Sequence, residues 1–166
     1  FFFSTLHDYY AATGDRKTLE ERFPTAERQL ELALRELDGR GIVTDKDSWW
    51  CFLDWGEGLN NQAGAQAILI YALKQGAVMA EWLGVSERAA VLWDAAGRAA
   101  RTALDCLWDE ERGFFVSGAQ RQVSWASQVW FALAKVLAPE DNARLLERLL
   151  EQKPGIPLVT PYAYHH

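Results

Sequence analysis

The stretch Asp47-Ser48-Trp49-Trp50-Cys51-Phe52-Leu53-Asp54-Trp55-Gly56-Glu57-Gly58-Leu59-Asn60 carries the residue types that grip a sugar. An indole lies flat on the apolar C–H face of a pyranose, while carboxylates and amides accept from its hydroxyls. Trp49, Trp50, Trp55, Asp54 and Asn60 are therefore candidate substrate-binding residues. Asp54 and Glu57 are also a candidate catalytic pair, one carboxyl raised in pKa beside the indoles and the other kept ionised. Gly56 and Gly58 let the backbone turn sharply around Glu57. A plainer reading stays open, in which Trp49, Trp50 and Phe52 plug a core under the loop and Asp54 accepts from backbone N–H groups.

Two further clusters add candidates. In Ser124-Trp125-Ala126-Ser127-Gln128, Ser124 can cap a helix, and Trp125 and Gln128 then share a face at its start, within reach of a ligand. Trp130 and Phe131 are better explained as core. The last stretch, Thr160-Pro161-Tyr162-Ala163-Tyr164-His165-His166, contributes Tyr162 and His165. No His, Cys and Glu spacing matches a metal site, and no phosphate-binding glycine loop, nucleophile elbow or CxxC is present. Neither metal nor cofactor is expected.

The elements that must position these residues are helices, because apolar residues recur at spacings of three and four with almost no alternation. A short helix around Leu6, Tyr9 and Tyr10 is expected to end at Gly14. Thr18 and Glu21 form a capping box for the next. Its stripe is Leu19, Phe23, Ala26, Leu30, Ala33 and Leu37, with Pro24 expected to kink or restart it and Gly39–Gly41 to stop it. Residues 61–83 form a long helix ending at Gly84, and Ser86 is the expected N-cap of the following one. That helix shows a stripe of Ala89, Leu92, Trp93, Ala96, Ala100, Ala103, Leu104 and Leu107. Helices over 125–137 and 140–151 complete the pattern, and Leu145–Leu150 reads as a packed stripe. Short links join the helices of each pair, and long aromatic and acidic segments, 42–60 and 109–123, separate the pairs. The expected fold is all-α: antiparallel helical hairpins side by side, their long loops gathered on one face.

Composition narrows the function. With 166 residues and a net charge of -6, the chain offers no basic face for a nucleic-acid backbone. Its longest apolar run, Ala67 to Leu73, is far short of the roughly 20 residues of a membrane span. Cys51 and Cys106 cannot build a disulfide framework, so a reducing, cytoplasmic compartment is the expectation. The opening Phe1-Phe2-Phe3, without Met, reads as the interior of a longer chain, so any signal would lie outside this segment. Eight Trp in 166 residues exceed ordinary usage, and half of them fall in the loop-like segments.

Taken in order, the motifs resemble those of bacterial α-L-rhamnosidase-like proteins, the six-hairpin glycosidases. The resemblance rests on Trp50-Cys51-Phe52-Leu53-Asp54-Trp55-Gly56, followed by Leu59-Asn60-Asn61-Gln62-Ala63. It also rests on Leu6-His7-Asp8-Tyr9-Tyr10-Ala11-Ala12-Thr13-Gly14-Asp15, Asp109-Glu110-Glu111-Arg112-Gly113-Phe114-Phe115, Ser124–Gln128 and Thr160–His166. It implies an (α/α)6 toroid, inverting hydrolysis of terminal rhamnosides, and a rhamnose-containing glycoside as partner. The family's catalytic acid and base lie in motifs outside the matched region. Residues 1–166 are then the middle hairpins of the ring, and Asp54 and Trp55 contact substrate beside the catalytic pair. Such a piece is expected to be inactive alone and to associate with itself through exposed helix faces. Two alternatives stand beside this reading: another carbohydrate-active enzyme on the same toroid, or a non-catalytic helical-repeat interaction module.

Overall fold

The protein, examined as a computed structural model, is described for residues 2–44, 52–54, 58–151 and 156. The helix period resolves into α1 (Phe2–Thr13), α2 (Arg16–Leu34), α3 (Gln62–Leu83), α4 (Ser86–Leu107), α5 (Trp125–Leu133) and α6 (Pro139–Glu151). Between α4 and α5, β1 (Trp108–Asp109) and β2 (Phe114–Phe115) pair antiparallel, Trp108 opposite Phe115. Among the described residues no helix is long and apolar enough to cross a membrane.

α3 is the centre of the packing and touches α1, α2, α4 and α5. Its small residues explain why it can. Ala63, Ala67, Ala77 and Ala80 are fully enclosed, and a Cβ on Gly76 would lie 3.1 Å from the Phe3 ring and 3.3 Å from Leu30. Neighbouring backbones therefore approach closely on several sides. α1, α3 and α5 make one layer, and α2, α4 and α6 pack behind them as hairpin partners. An ion pair between Arg88 and Glu27 ties α4 to α2. The densest point of the core is Phe115 stacked on Phe131 at 3.6 Å, both with no exposed surface. Each such ring contributes about 2 kcal/mol of burial.

Several local expectations are corrected. The cap of α2 is Asp15, not Thr18. The Asp15 carboxylate accepts from the Thr18 N–H at 3.1 Å and from the Thr18 hydroxyl at 2.7 Å. α2 runs through Pro24 without a break. Proline there removes one hydrogen bond to the carbonyl of Glu20, but both residues are on the exposed side of the helix, while Phe23 and Ala26 stay buried. α2 ends at Leu34, before the glycines, and a bridge between Leu37 and Val43 follows. Ser86 opens α4 as its first residue, with Val85 at the cap. Trp93 lies on the solvent side, 39% exposed, where its indole N–H donates to Glu81 at 2.8 Å. α5 stops at Leu133, and of the leucines of α6 only Leu145 and Leu149 are buried.

Candidate functional site

The short links, 14–15, 84–85 and 134–138, lie at one end of the hairpins, and the long connections, 35–61 and 108–124, lie at the other. The first turns of α3 and α5 therefore open onto the long-loop end. Uncharged side chains bind the two long connections to these turns. Gln62 donates its amide to the Val43 carbonyl at 3.0 Å and accepts from the Gly118 N–H at 2.9 Å. One turn on, Gln66 accepts from the Val43 N–H at 2.9 Å. The Ser117 hydroxyl receives the Ala63 N–H at 3.0 Å, satisfying an orphan donor of the first turn of α3. Gln122 joins the loops to each other, accepting from the Asn60 N–H and donating to the Gly58 carbonyl, both at 2.8 Å.

Asp54 is placed by its neighbour. Leu53 is 4% exposed and lies against Gly64, where an added Cβ would fall 2.4 Å from a Leu53 methyl. This contact presses the loop onto α3 and leaves Asp54 half-buried at the long-loop end. On its other side Phe52 reaches a cavity of about 140 Å³ between the inner helices, lined also by Phe3, Ile68, Tyr71 and Trp130. Asn60 anchors the same loop, its side chain accepting from the Gln62 N–H at 3.1 Å. Asp54 and Asn60 are both half-buried, Asp54 next to the Leu53 contact and Asn60 at the entry to α3. Trp49, Trp50, Trp55, Glu57, Tyr162 and His165 lie outside the described residues.

The α5 candidates separate. Trp125 is half-buried against Phe114, Val116, Val123, Leu145 and Leu149, and its indole N–H makes no hydrogen bond among the described residues. Gln128 is fully buried. It accepts from the Phe115 N–H at 2.9 Å and donates to the Phe115 carbonyl at 2.8 Å and to the Ser124 carbonyl at 3.3 Å. The expectation that Gln128 faces a ligand is therefore corrected: with no exposed surface, its amide holds β2 against α5. Ser124 caps α5 as expected, accepting from the Ser127 N–H at 3.2 Å.

Two carboxylates stiffen the loop bases. The Arg112 N–H and the Arg121 guanidinium hold Asp109 below its usual pKa. Burial alone would raise Asp38, but hydrogen bonds from Ile42 and Arg40 outweigh it and lower the value. Among the described residues no cluster of His, Cys, Asp and Glu could hold a metal ion. The positioning residues that sequence reasoning missed are Gln62, Gln66, Ser117 and Gln122. A signal existed for two of them, because Gln62 and Gln66 stand one turn apart at the start of a helix whose residues 63–73 are otherwise uncharged and largely apolar.

No protein-family model matches the chain, and no curated protein does. Solved structures do. A rhamnosidase from Klebsiella oxytoca with rhamnose bound is 43% identical, with a TM-score of 0.93 over 99% of this chain and 32% of that one. A GH78 family rhamnosidase of Bacillus sp. GL1 is 23% identical, with a TM-score of 0.81 over 95% of this chain and 17% of that one, a likeness of fold. The chain thus spans about a third of the length of the first and less of the second. The ordered motifs and the three-dimensional likeness agree: the chain is rhamnosidase-like across almost its whole length.

Proposed function

We propose that this chain is the sugar-contacting segment of an inverting α-L-rhamnosidase, formed by the middle hairpins of an (α/α)6 toroid. The observation that carries the reading is the 43% identity to a rhamnosidase with rhamnose bound, over 99% of the chain. The half-buried Asp54 and Asn60 at the mouth of the inner helices support it. In this proposal Trp49, Trp50, Trp55, Tyr162 and His165 line the sugar face. Asp54 accepts from a rhamnose hydroxyl, and the proton-donating acid and water-activating base are supplied by the rest of the polypeptide. Glu57 then takes no part in proton transfer. The working compartment is the reducing cytoplasm. Leu146 and Leu150, 37% and 55% exposed on one face of α6, are covered by a further hairpin or a second copy.

The test is hydrolysis of an aryl α-L-rhamnoside by the intact polypeptide, with the anomer of the released sugar followed by proton NMR. β-Rhamnose appearing first supports inversion, in which a water is activated on the face opposite the leaving group. First release of the α anomer would reject inversion, and absence of turnover would reject the rhamnosidase assignment.

A further inference from the structure

A cleft of about 380 Å³ opens at the long-loop end, lined by residues from the α2–α3 connection, α3, α4 and the turn before α5. It adjoins the Asn60 end of the sugar loop, since Gln62 lines it and gives its backbone N–H to the Asn60 side chain, whereas Leu53 packs at Gly64, and side chains two residues apart on a helix point about 200° apart. Its described lining contains Arg40, Arg121, Cys106 and the aliphatic Ile42, Leu107 and Val116, with no carboxylate. In a chain of net charge -6, the cleft thus presents the open edges of two cations whose Asp38 and Asp109 partners lie behind them.

Both guanidinium groups are held by one edge and open on the other. Arg40 donates Nε and Nη2 to Asp38 at 3.1 and 2.9 Å. Arg121 donates Nε and Nη2 to Asp109 at 3.3 and 2.9 Å. Neither Nη1 makes a hydrogen bond among the described residues, so each arginine keeps three of its five N–H donors outside its ion pair, two of them on Nη1. The backbone at Arg121 adds a second observation. It has φ +50° inside the turn closed by the Ser117–Gln122 bridge, a conformation that glycine adopts at less strain. The chain holds an arginine there, and its side chain lines the cleft.

We propose that this cleft binds an oxyanion, the carboxylate of an acidic sugar or a phosphate ester, between the Nη1 edges of Arg40 and Arg121. The bound anion lies beside the Cys106 thiol and shields it. Guanidinium edges pair with planar or tetrahedral oxyanions through parallel N–H donors, which fits either source.

Cys106 supplies the readout. In the intact protein, alkylation of Cys106 by iodoacetamide is followed by peptide mass spectrometry, with an added free-thiol peptide as internal reference. Separate samples contain sodium glucuronate, sodium phosphate, rhamnose, or sodium chloride at matched ionic strength. We expect at least threefold slower alkylation of Cys106 with glucuronate or phosphate, and no slowing with rhamnose or chloride. Protection by glucuronate alone assigns an acidic sugar, and protection by phosphate alone assigns a phosphate ester. Arg40→Gln and Arg121→Gly each remove the protection, and circular dichroism checks that each variant stays folded, because Arg121→Gly trades relief of the positive φ for loss of the Asp109 ion pair. Neither anion protecting more than chloride, or protection surviving both substitutions, would overturn the proposal.

Discussion

At the short-turn end the inner helices finish on cations. Arg16 donates to the Trp82 and Leu83 carbonyls at 3.0 and 3.1 Å, at the last turn of α3. Lys74 donates to the Ala134 and Lys135 carbonyls at 2.6 and 3.1 Å, just past α5. At the long-loop end the same two helices begin on neutral groups: Ser117 and Gln62 at α3, Ser124 and Gln128 at α5. Positive charge suits a helix C-terminus and opposes an N-terminus, so the macrodipole accounts for the placement of the cations. Amides do something further: they fix loop backbone from both sides through neutral hydrogen bonds. One end is built for stability and the other for placing a loop.

The largest effect that can break this contrast is at Gln128. Gln128→Leu keeps the volume but leaves the Phe115 N–H and carbonyl without their partner in a dry interior. Each such group costs about 1–3 kcal/mol, so urea unfolding should show a loss of about 3 kcal/mol. Rhamnose affinity of the folded variant should change little. The opposite pattern, intact stability with lost affinity, would return Gln128 to the ligand surface and erase the distinction drawn here.

A smaller effect sharpens the contrast within one helix. Gly64→Ala puts a methyl group into Leu53, and Gly76→Ala puts one against Phe3 and Leu30. Each overpacks the core by about 1–2 kcal/mol. Only the first moves the loop that carries Asp54. Titration with rhamnose should therefore show weakened binding in Gly64→Ala and near-parental binding in Gly76→Ala. Equal affinities in the two variants would mean that Leu53 does not position the sugar loop.

The same division marks what could be read in the sequence. The helices were legible because their signals are local: stripes at spacings of three and four, and Gly84 closing α3 with φ +78°. The long-loop face was legible for the same reason, since link lengths alone alternate. The bonds that shape that face were not, because Asn60 meets Gln122 and Ala63 meets Ser117 across more than 50 residues. Nothing near Gln128 in sequence says that Phe115 will use both ends of its amide. Trp93 shows the converse error. Its spacing fits the stripe of α4, yet an indole that finds Glu81 at the rim stays half in water. Fold class follows from period, whereas the site depends on pairings between loops.

The smallest effect concerns the short-turn end. Lys74→Met removes a cation from the end of α5 and keeps most of the aliphatic stem. Loss of the dipole interaction costs about 1 kcal/mol, partly offset because a half-buried ammonium no longer has to shed water. Burial, aided by the positive charge of Lys135, lowers the Lys74 pKa from 10.5. The folded state therefore binds fewer protons than the unfolded one between the lowered value and 10.5, and stability rises with pH through that window. Parental protein should gain on Lys74→Met as buffers become alkaline, with the gap levelling off above about 10.5. Melting temperatures at several pH values read this gap directly. A gap that stays flat would show that Lys74 reaches the helix end without losing hydration. Rhamnose affinity should be the same in both proteins throughout, since the bonds of this cap among the described residues go to the Ala134 and Lys135 carbonyls at the short-turn end.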